Sequence, residues 1–171
     1  MRTVIAGPRP PEIEALIALR QQRGLDRHDE VWEGDYHMPP GPSLWHARVD
    51  HELARCLEPR ADSAGLMGFT TCNIGSPHDF RVPDRGYLRT LEKRVYASTA
   101  AIVVEVLSPG DETFEKFGFY ARHGVEELLV ADPDERTVRL WQLRDGEYVE
   151  TGTSALLDVT AETIVAEIDW P

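Results

Sequence analysis

The chain has 171 residues, 42% of them hydrophobic, and a formal net charge of −12. That length predicts one domain spanning 1–171 with a sizeable core, and no apolar run approaches the ~18 residues needed to cross a bilayer. The acidity favours solubility and opposes non-specific attraction to nucleic acid, a cost that any nucleic-acid partner carries and that a local basic patch could offset.

Cys56 and Cys72 are the only cysteines and form no CxxC pair, which argues against a disulfide framework or a zinc site. The opening MRTVIAGPRPPEIE lacks the long apolar stretch and small-residue cleavage site of a signal peptide, so the expected location is the cytoplasm.

Residues 1–11 hold three prolines and a glycine and predict a loosely held N-terminal arm. Glu12–Gly24 follows with Ile13, Leu16 and Ile17 at helical spacing, Pro11 at its start and Gly24 at its end. Glu30–Met38 alternates as a strand with a turn or bulge at Gly34. After the rigid Pro39-Pro40-Gly41-Pro42 loop, Ser43 or Leu44 to Leu57 reads as a helix, which Pro59 is expected to stop.

Leu66–Asn73 and Phe80–Leu88 read as strands around a Gly75-Ser76-Pro77 turn, and the polar Glu92–Ser98 as loop. The densest basic cluster, Arg81, Arg85, Arg89, Lys93 and Arg94, is either such a patch or a solvated surface segment.

The stretch Ala101–Asp111, AIVVEVLSPGD, is a β-branched apolar run interrupted by Glu105 and broken by Ser-Pro-Gly-Asp. It predicts a buried strand with a carboxylate in its middle. Such a charge is costly unless it is paired or binds a metal. A helix from Asp111 or Thr113 to His123, capped by Gly124, leads to a second buried strand, Glu126–Ala131. Strand, helix, strand implies two parallel strands joined by a crossover. Val138–Leu143 and Glu147–Glu150 form a hairpin around Asp145-Gly146. Leu156–Val159 reads as a last strand and Thr160–Glu167 as a terminal helix. The sum is an α/β fold, a mixed sheet flanked by helices.

Four polar residues lie in or beside apolar elements: Glu30, Asp84, Glu105 and Lys116. Two carboxylates on adjacent strands can share a hard cation such as Mg²⁺, which can activate water and neutralise phosphate charge. A nearby ammonium can stabilise the transition state. Helical spacing sets Lys116, Tyr120 and His123 on one face and Phe114, Phe117 and Ala121 on another, which places Lys116 off the obvious core stripe. Tyr120 is expected to be a core residue with a bonded hydroxyl. His46 reads as a helix-start packing residue or a phosphate contact.

The motifs EVWEG (30–34), His46, RVPD (81–84), VVEVLSPGD (103–111), Lys116, Tyr120 and HGVEELLVADP (123–133), in this order, resemble the PD-(D/E)XK nuclease superfamily. They resemble in particular its bacterial restriction-endonuclease-like branch, common in cyanobacteria and actinobacteria. The resemblance runs from about residue 28 to 150. It implies a restriction-endonuclease-like mixed sheet flanked by helices and a metal-dependent endonuclease acting on DNA. Asp84 and Glu105 would be the metal-binding carboxylates for Mg²⁺ (or Mn²⁺), aided by a carbonyl near Val106. Glu30, with Glu33 as its rival, would be the helper acid. The superfamily's lysine usually stands two residues after the second acid, where this chain has Leu107, so its role would pass to Lys116. A homodimer is expected because cutting both strands of a duplex usually takes two sites. The acidic balance motivates an alternative: a non-catalytic module of this fold that binds or regulates a protein partner.

Overall fold

The computed structural model describes residues 3–171. In chain order these form β1 (Thr3–Ile5), α1 (Pro11–Gln22), β2 (Glu30–Trp32), β3 (Asp35–Met38), α2 (Leu44–Ser63), β4 (Met67–Thr70), β5 (Asn73–Ser76), β6 (Asp79–Arg81), β7 (Arg85–Leu88), β8 (Tyr96–Ala97) and β9 (Ile102–Val106). A 3₁₀ turn (Thr113–Lys116) then leads into α3 (Phe117–Arg122), β10 (Glu127–Asp132), β11 (Thr137–Arg144), β12 (Glu147–Thr151), β13 (Thr153–Ser154), β14 (Val159–Thr160) and α4 (Ala161–Glu167). Among these residues no helix is long and apolar enough to cross a membrane.

The larger core is built on the sheet ordered β12-β11-β10-β9-β7-β4. Strand β9 lies inside it, parallel to β10 as the crossover pattern predicted, and antiparallel to β7. Alternation divides its side chains between two faces. Ile102, Val104 and Val106 join Val49, Leu53 and Leu57 of α2 and Ile164 of α4 in one cluster. Val103 joins Leu128, Val130, Phe119 and Tyr120 in a second cluster on the opposite face. Glu105 shares that second face.

The other large sheet, β1-β3-β2-β6-β5-β8, carries a third cluster of Ile17, Val31, Tyr36, Phe80 and Val82. Asp29 ties α1 to this sheet. It accepts two hydrogen bonds from Arg20, at 2.9 and 2.8 Å, and one from the Tyr36 hydroxyl at 2.8 Å. The neighbouring Glu30 is thereby fixed in β2.

Several boundaries depart from the sequence reading. Thr3–Ile5 of the expected loose arm pairs with Met38, His37 and Tyr36, because β3 otherwise offers a free sheet edge; residues 1 and 2 lie outside the described part. Pro59 does not stop α2, which runs on to Ser63. Its ring removes the donor for the Arg55 carbonyl, but Arg55 is on the exposed face where water can substitute, and buried Ala61 holds the last turn to the core.

The Phe80–Leu88 strand is split. Phe80 and Arg81 belong to β6 in one sheet and Arg85–Leu88 to β7 in the other, with Val82-Pro83-Asp84 crossing between them. Leu66–Asn73 is likewise divided between β4 and β5, and Tyr96–Ala97 adds a short strand beside β5. Leu156–Val159 is largely a turn, held in place by the buried Glu127 carboxylate, which accepts from Ala155 N and Leu156 N.

The basic cluster is not a patch. Arg81 is buried between the Trp32 and Phe119 rings, 4.4 and 4.1 Å from their centroids. Arg85 is buried against Asp50 and Glu58, while Arg89 and Arg94 pair with Glu126 and Glu92.

Gly86 tests the packing of β7 on β9. A Cβ there would stand 2.5 Å from Phe69 Cζ and 2.8 Å from the Ile102 carbonyl oxygen, and the latter is backbone that cannot step aside. Gly86→Ala should cost about 1–3 kcal/mol by overpacking, read as a lower urea midpoint at unchanged slope.

Candidate active site

The sheet register brings the two central acids together. In the antiparallel β7–β9 pair Arg85 faces Val104 and Gly86 faces Val103. Continued by one residue, this register sets Asp84 opposite Glu105, and opposed residues of an antiparallel pair project from the same face. Asp84 is tied to this strand directly: its Oδ2 accepts from Val106 N at 2.8 Å. Its Oδ1 lies 3.0 Å from His46 Nε2.

Glu105 is 5% exposed and its Oε1 accepts from the Tyr120 hydroxyl at 2.7 Å. Lys116 Nζ lies 3.2 Å from the same oxygen and 3.0 Å from Glu30 Oε1. Glu30 is itself fully engaged, with Val82 N donating to Oε1 at 2.8 Å and the Trp32 indole to Oε2 at 2.6 Å. Among the described residues, no hydrogen bond reaches Glu105 Oε2. Glu30, Asp84, Glu105, Lys116 and His46 all line one cleft of about 510 Å³, walled by the Pro39–Ser43 loop and the Ser108–Asp111 turn.

All four sequence-selected residues therefore meet in one place. Glu33 does not join them. It is a turn residue at φ 51°, its side chain is 79% exposed, and it lies 3.7 Å from Arg122. Lys116 corrects the helical-face reading. The segment begins as a 3₁₀ turn, where three residues rather than 3.6 make a turn, and Lys116, Phe119 and Tyr120 form the buried face while Phe114 is 48% exposed. Tyr120 is a core residue with a bonded hydroxyl, as expected. His46 was read as a packing residue or a phosphate contact, yet its ring bridges Asp84 and the Ser108 hydroxyl, which lies 3.1 Å from Nδ1. Those partners are 38 and 62 positions away, so no local sequence pattern signals them.

Three carboxylates surround one ammonium, and this imbalance governs the charges. Burial pushes the Glu105 carboxyl up to about 7; Lys116 opposes that shift, while Asp84 and Glu30 add to it. Burial alone would lower the Lys116 value, but Glu105, Glu30 and Asp84 outweigh it and hold the ammonium charged. Burial and then the Glu105 and Glu30 charges raise the Tyr120 phenol well above its usual range, so it remains a donor. Burial works against a charged His46, yet the Asp84 hydrogen bond and the Asp84, Asp50 and Asp111 charges raise its value overall.

The donor set suits a hard cation. Asp84 is partly exposed, Glu105 has an oxygen without a protein donor, and the local charge is negative. Among the described residues no three His, Cys, Asp or Glu side chains form a ready-made cage. Mg²⁺ does not need one, since it is commonly held by one or two carboxylates and keeps several waters.

Known proteins resemble the chain in family and in fold. The family model described as "Uma2: Putative restriction endonuclease" matches residues 13–170. The chain belongs to the Uma2 family. A solved structure described as "a putative nuclease belonging to DUF820" from Anabaena variabilis shares the fold with a TM-score of 0.67 at 15% identity, covering 82% of this chain and 90% of that one. No curated protein matches the chain. The expected restriction-endonuclease-like architecture thus holds for this Uma2 chain.

Two outcomes follow for the metal-free protein. The folded-state value of Glu105 lies above its unfolded value of 4.5. The folded chain therefore retains a proton that the unfolded chain releases, and the stability linked to this group falls as pH rises from about 4.5 to about 7. In chelator, wild type should lose more stability than Glu105→Gln between pH 5 and pH 8, measured by urea unfolding; equal losses would contradict the proton assignment. Lys116→Ala leaves Glu30 and Glu105 facing each other in the interior and should destabilise by about 3–5 kcal/mol at neutral pH, with a smaller loss at pH 5, where Glu105 is protonated.

Proposed function

We propose that this Uma2 chain is a Mg²⁺-dependent endonuclease that hydrolyses DNA phosphodiester bonds. The observation that carries the reading is the Lys116 ammonium set within 3.0 and 3.2 Å of Glu30 and Glu105, with Asp84 lining the same cleft. Asp84 and Glu105 would hold the cation, Mg²⁺ or Mn²⁺, which when bound would activate a water and neutralise charge on the phosphate.

The protein's own groups have distinct tasks in this scheme. The acids around Lys116 favour its charged form in the metal-free protein, which suits it to stabilise negative charge developing on the phosphate. Glu30 positions Lys116, since both of its oxygens are already fixed by Val82 N and Trp32. Tyr120 fixes one Glu105 oxygen and leaves the other directed to chemistry. Burial of the floor limits solvent reorganisation around these charges.

The acidic surface supports a second reading, a non-catalytic module that binds a protein partner. Activity separates the two. Purified protein with Mg²⁺ or Mn²⁺ should cleave plasmid or single-stranded DNA, and Asp84→Ala and Lys116→Ala should each lower the rate by at least about 100-fold, in line with the loss of one preorganised electrostatic group. Cleavage that is equal in wild type and variants would come from a contaminant and defeat the enzyme reading. A homodimer is proposed by analogy with enzymes that cut both strands, and sedimentation would test it.

Metal uptake supplies a separate check. Asp84 and Glu105 would hold the cation, and uptake would release the Glu105 proton, so Mg²⁺ should raise the melting temperature and its affinity should increase from pH 6 to pH 8. Calorimetry in buffers of different ionisation enthalpy should register proton release near pH 7; no release and no thermal shift at millimolar Mg²⁺ would remove the metal from the scheme.

A further inference from the structure

Asp84 lines the cleft from a segment that belongs to neither large sheet. What fixes its carboxylate is therefore a separate question from what fixes Glu105, which is rigid within β9. Two donors do so. Val106 N holds Oδ2 at 2.8 Å, and His46 Nε2 lies 3.0 Å from Oδ1. They come from different elements, β9 and α2. Together they define both the position and the plane of the carboxylate, whereas either one alone leaves it free to rotate.

The imidazole is itself constrained. An ionised Asp84 can only accept, so Nε2 carries the proton in this contact. On the other side of the ring, Nδ1 meets the Ser108 hydroxyl at 3.1 Å. Ser108 belongs to the turn that breaks β9, and that turn is closed by Asp111, whose Oδ2 accepts from Ser108 N at 3.1 Å and whose Oδ1 accepts from the Thr113 hydroxyl at 2.8 Å. The His46 backbone is set by the α2 cap, where His46 N donates to Ser43 Oγ at 3.1 Å. The ring is 11% exposed, so it has little room for other rotamers.

We propose that His46, oriented by Ser108, is a positioning residue that holds Asp84 in the conformation needed to take up a divalent cation. The inference rests on the metal reading of Asp84 and Glu105. Partners that orient metal ligands typically account for about 10–100-fold in metal affinity, and His46 makes the side-chain contact to the more exposed of the two carboxylates.

The test is Mn²⁺ affinity, measured by isothermal titration calorimetry well below the melting temperature, for wild type, His46→Ala, His46→Asn and His46→Gln. The Gln amide nitrogen falls near the position of Nε2, whereas the Asn amide falls near Nδ1. His46→Ala and His46→Asn should weaken Mn²⁺ binding by about 10–100-fold, and His46→Gln should recover most of the loss. A purely structural role would lower the melting temperature of all three variants without this Gln-specific recovery. Wild-type affinity in His46→Ala, or equal losses in Asn and Gln, overturns the inference and leaves the metal reading standing. A wild-type protein that takes up no Mn²⁺ removes both.

Discussion

The molecule is organised around a carboxylate that cannot leave its strand. Glu105 is central in β9, and β9 is covered on both faces. An isolated charge there would be strongly unfavourable, so the surroundings must provide an opposite charge and hydrogen bonds. The connection from β9 to β10 does this. It turns at Ser108-Pro109-Gly110, and the following 3₁₀ turn and short helix bring Lys116 and Tyr120 back over the same face. The crossover that makes two parallel strands possible is also the device that neutralises the strand's buried acid.

That solution is incomplete by one or two charges. Glu30 arrives from the other sheet and Asp84 from the segment that crosses between the sheets, so three acids converge on one buried ammonium. A structural ion pair would not need the extra carboxylates, and they make the site less favourable in their absence of a cation. A buried acid with a raised pKa, set beside two further carboxylates in a cleft, is an arrangement found where protons or cations are exchanged. The two-sheet architecture has a direct consequence here: the site draws one acid from each sheet and a third from the link, so its geometry depends on how the sheets are joined. Arg81 contributes to that junction. Its guanidinium is clasped between Trp32 of one sheet and Phe119 of α3, and donates to the Val31 carbonyl at 2.7 Å.

Much of this was legible in the chain. The run VVEVL announced a buried strand with a problem, and the Ser-Pro-Gly-Asp break announced its end. Apolar runs bounded by turn residues located β9 and β10, helical spacing located α1, and alternation around Asp145-Gly146 located the β11–β12 hairpin. What failed were features set by distant partners. Phe80–Leu88 looks continuous because both halves suit a strand; Pro83, which has no N–H to give a ladder, is a local sign of a break, but it does not say that the second half joins the other sheet. Pro59 looked like a stop because the core contact that sustains the last turn of α2 is tertiary. Lys116 looked solvated because a 3.6-residue period was applied to a segment that starts as a 3₁₀ turn. The His46–Asp84–Ser108 chain is the extreme case, since it joins three elements and leaves no periodic trace.

The position of the lysine shows what the motif requires physically. A residue two places after Glu105 would share its face, because side chains alternate along a strand. Leu107 has that place here, and it packs against the aromatic cluster that includes Phe117 and Trp141. The ammonium is supplied nine residues later in sequence, from above the sheet. The two arrangements are interchangeable if the chemistry depends on where Nζ lies relative to the acids and not on which element carries it. Moving the lysine off the strand also changes its constraints. On β9 it would be fixed by sheet hydrogen bonds, whereas on the 3₁₀ turn it depends on its own ion pairs with Glu30 and Glu105 for its position. Glu30, with both oxygens fixed by Val82 N and the Trp32 indole, gives that ammonium a rigid partner.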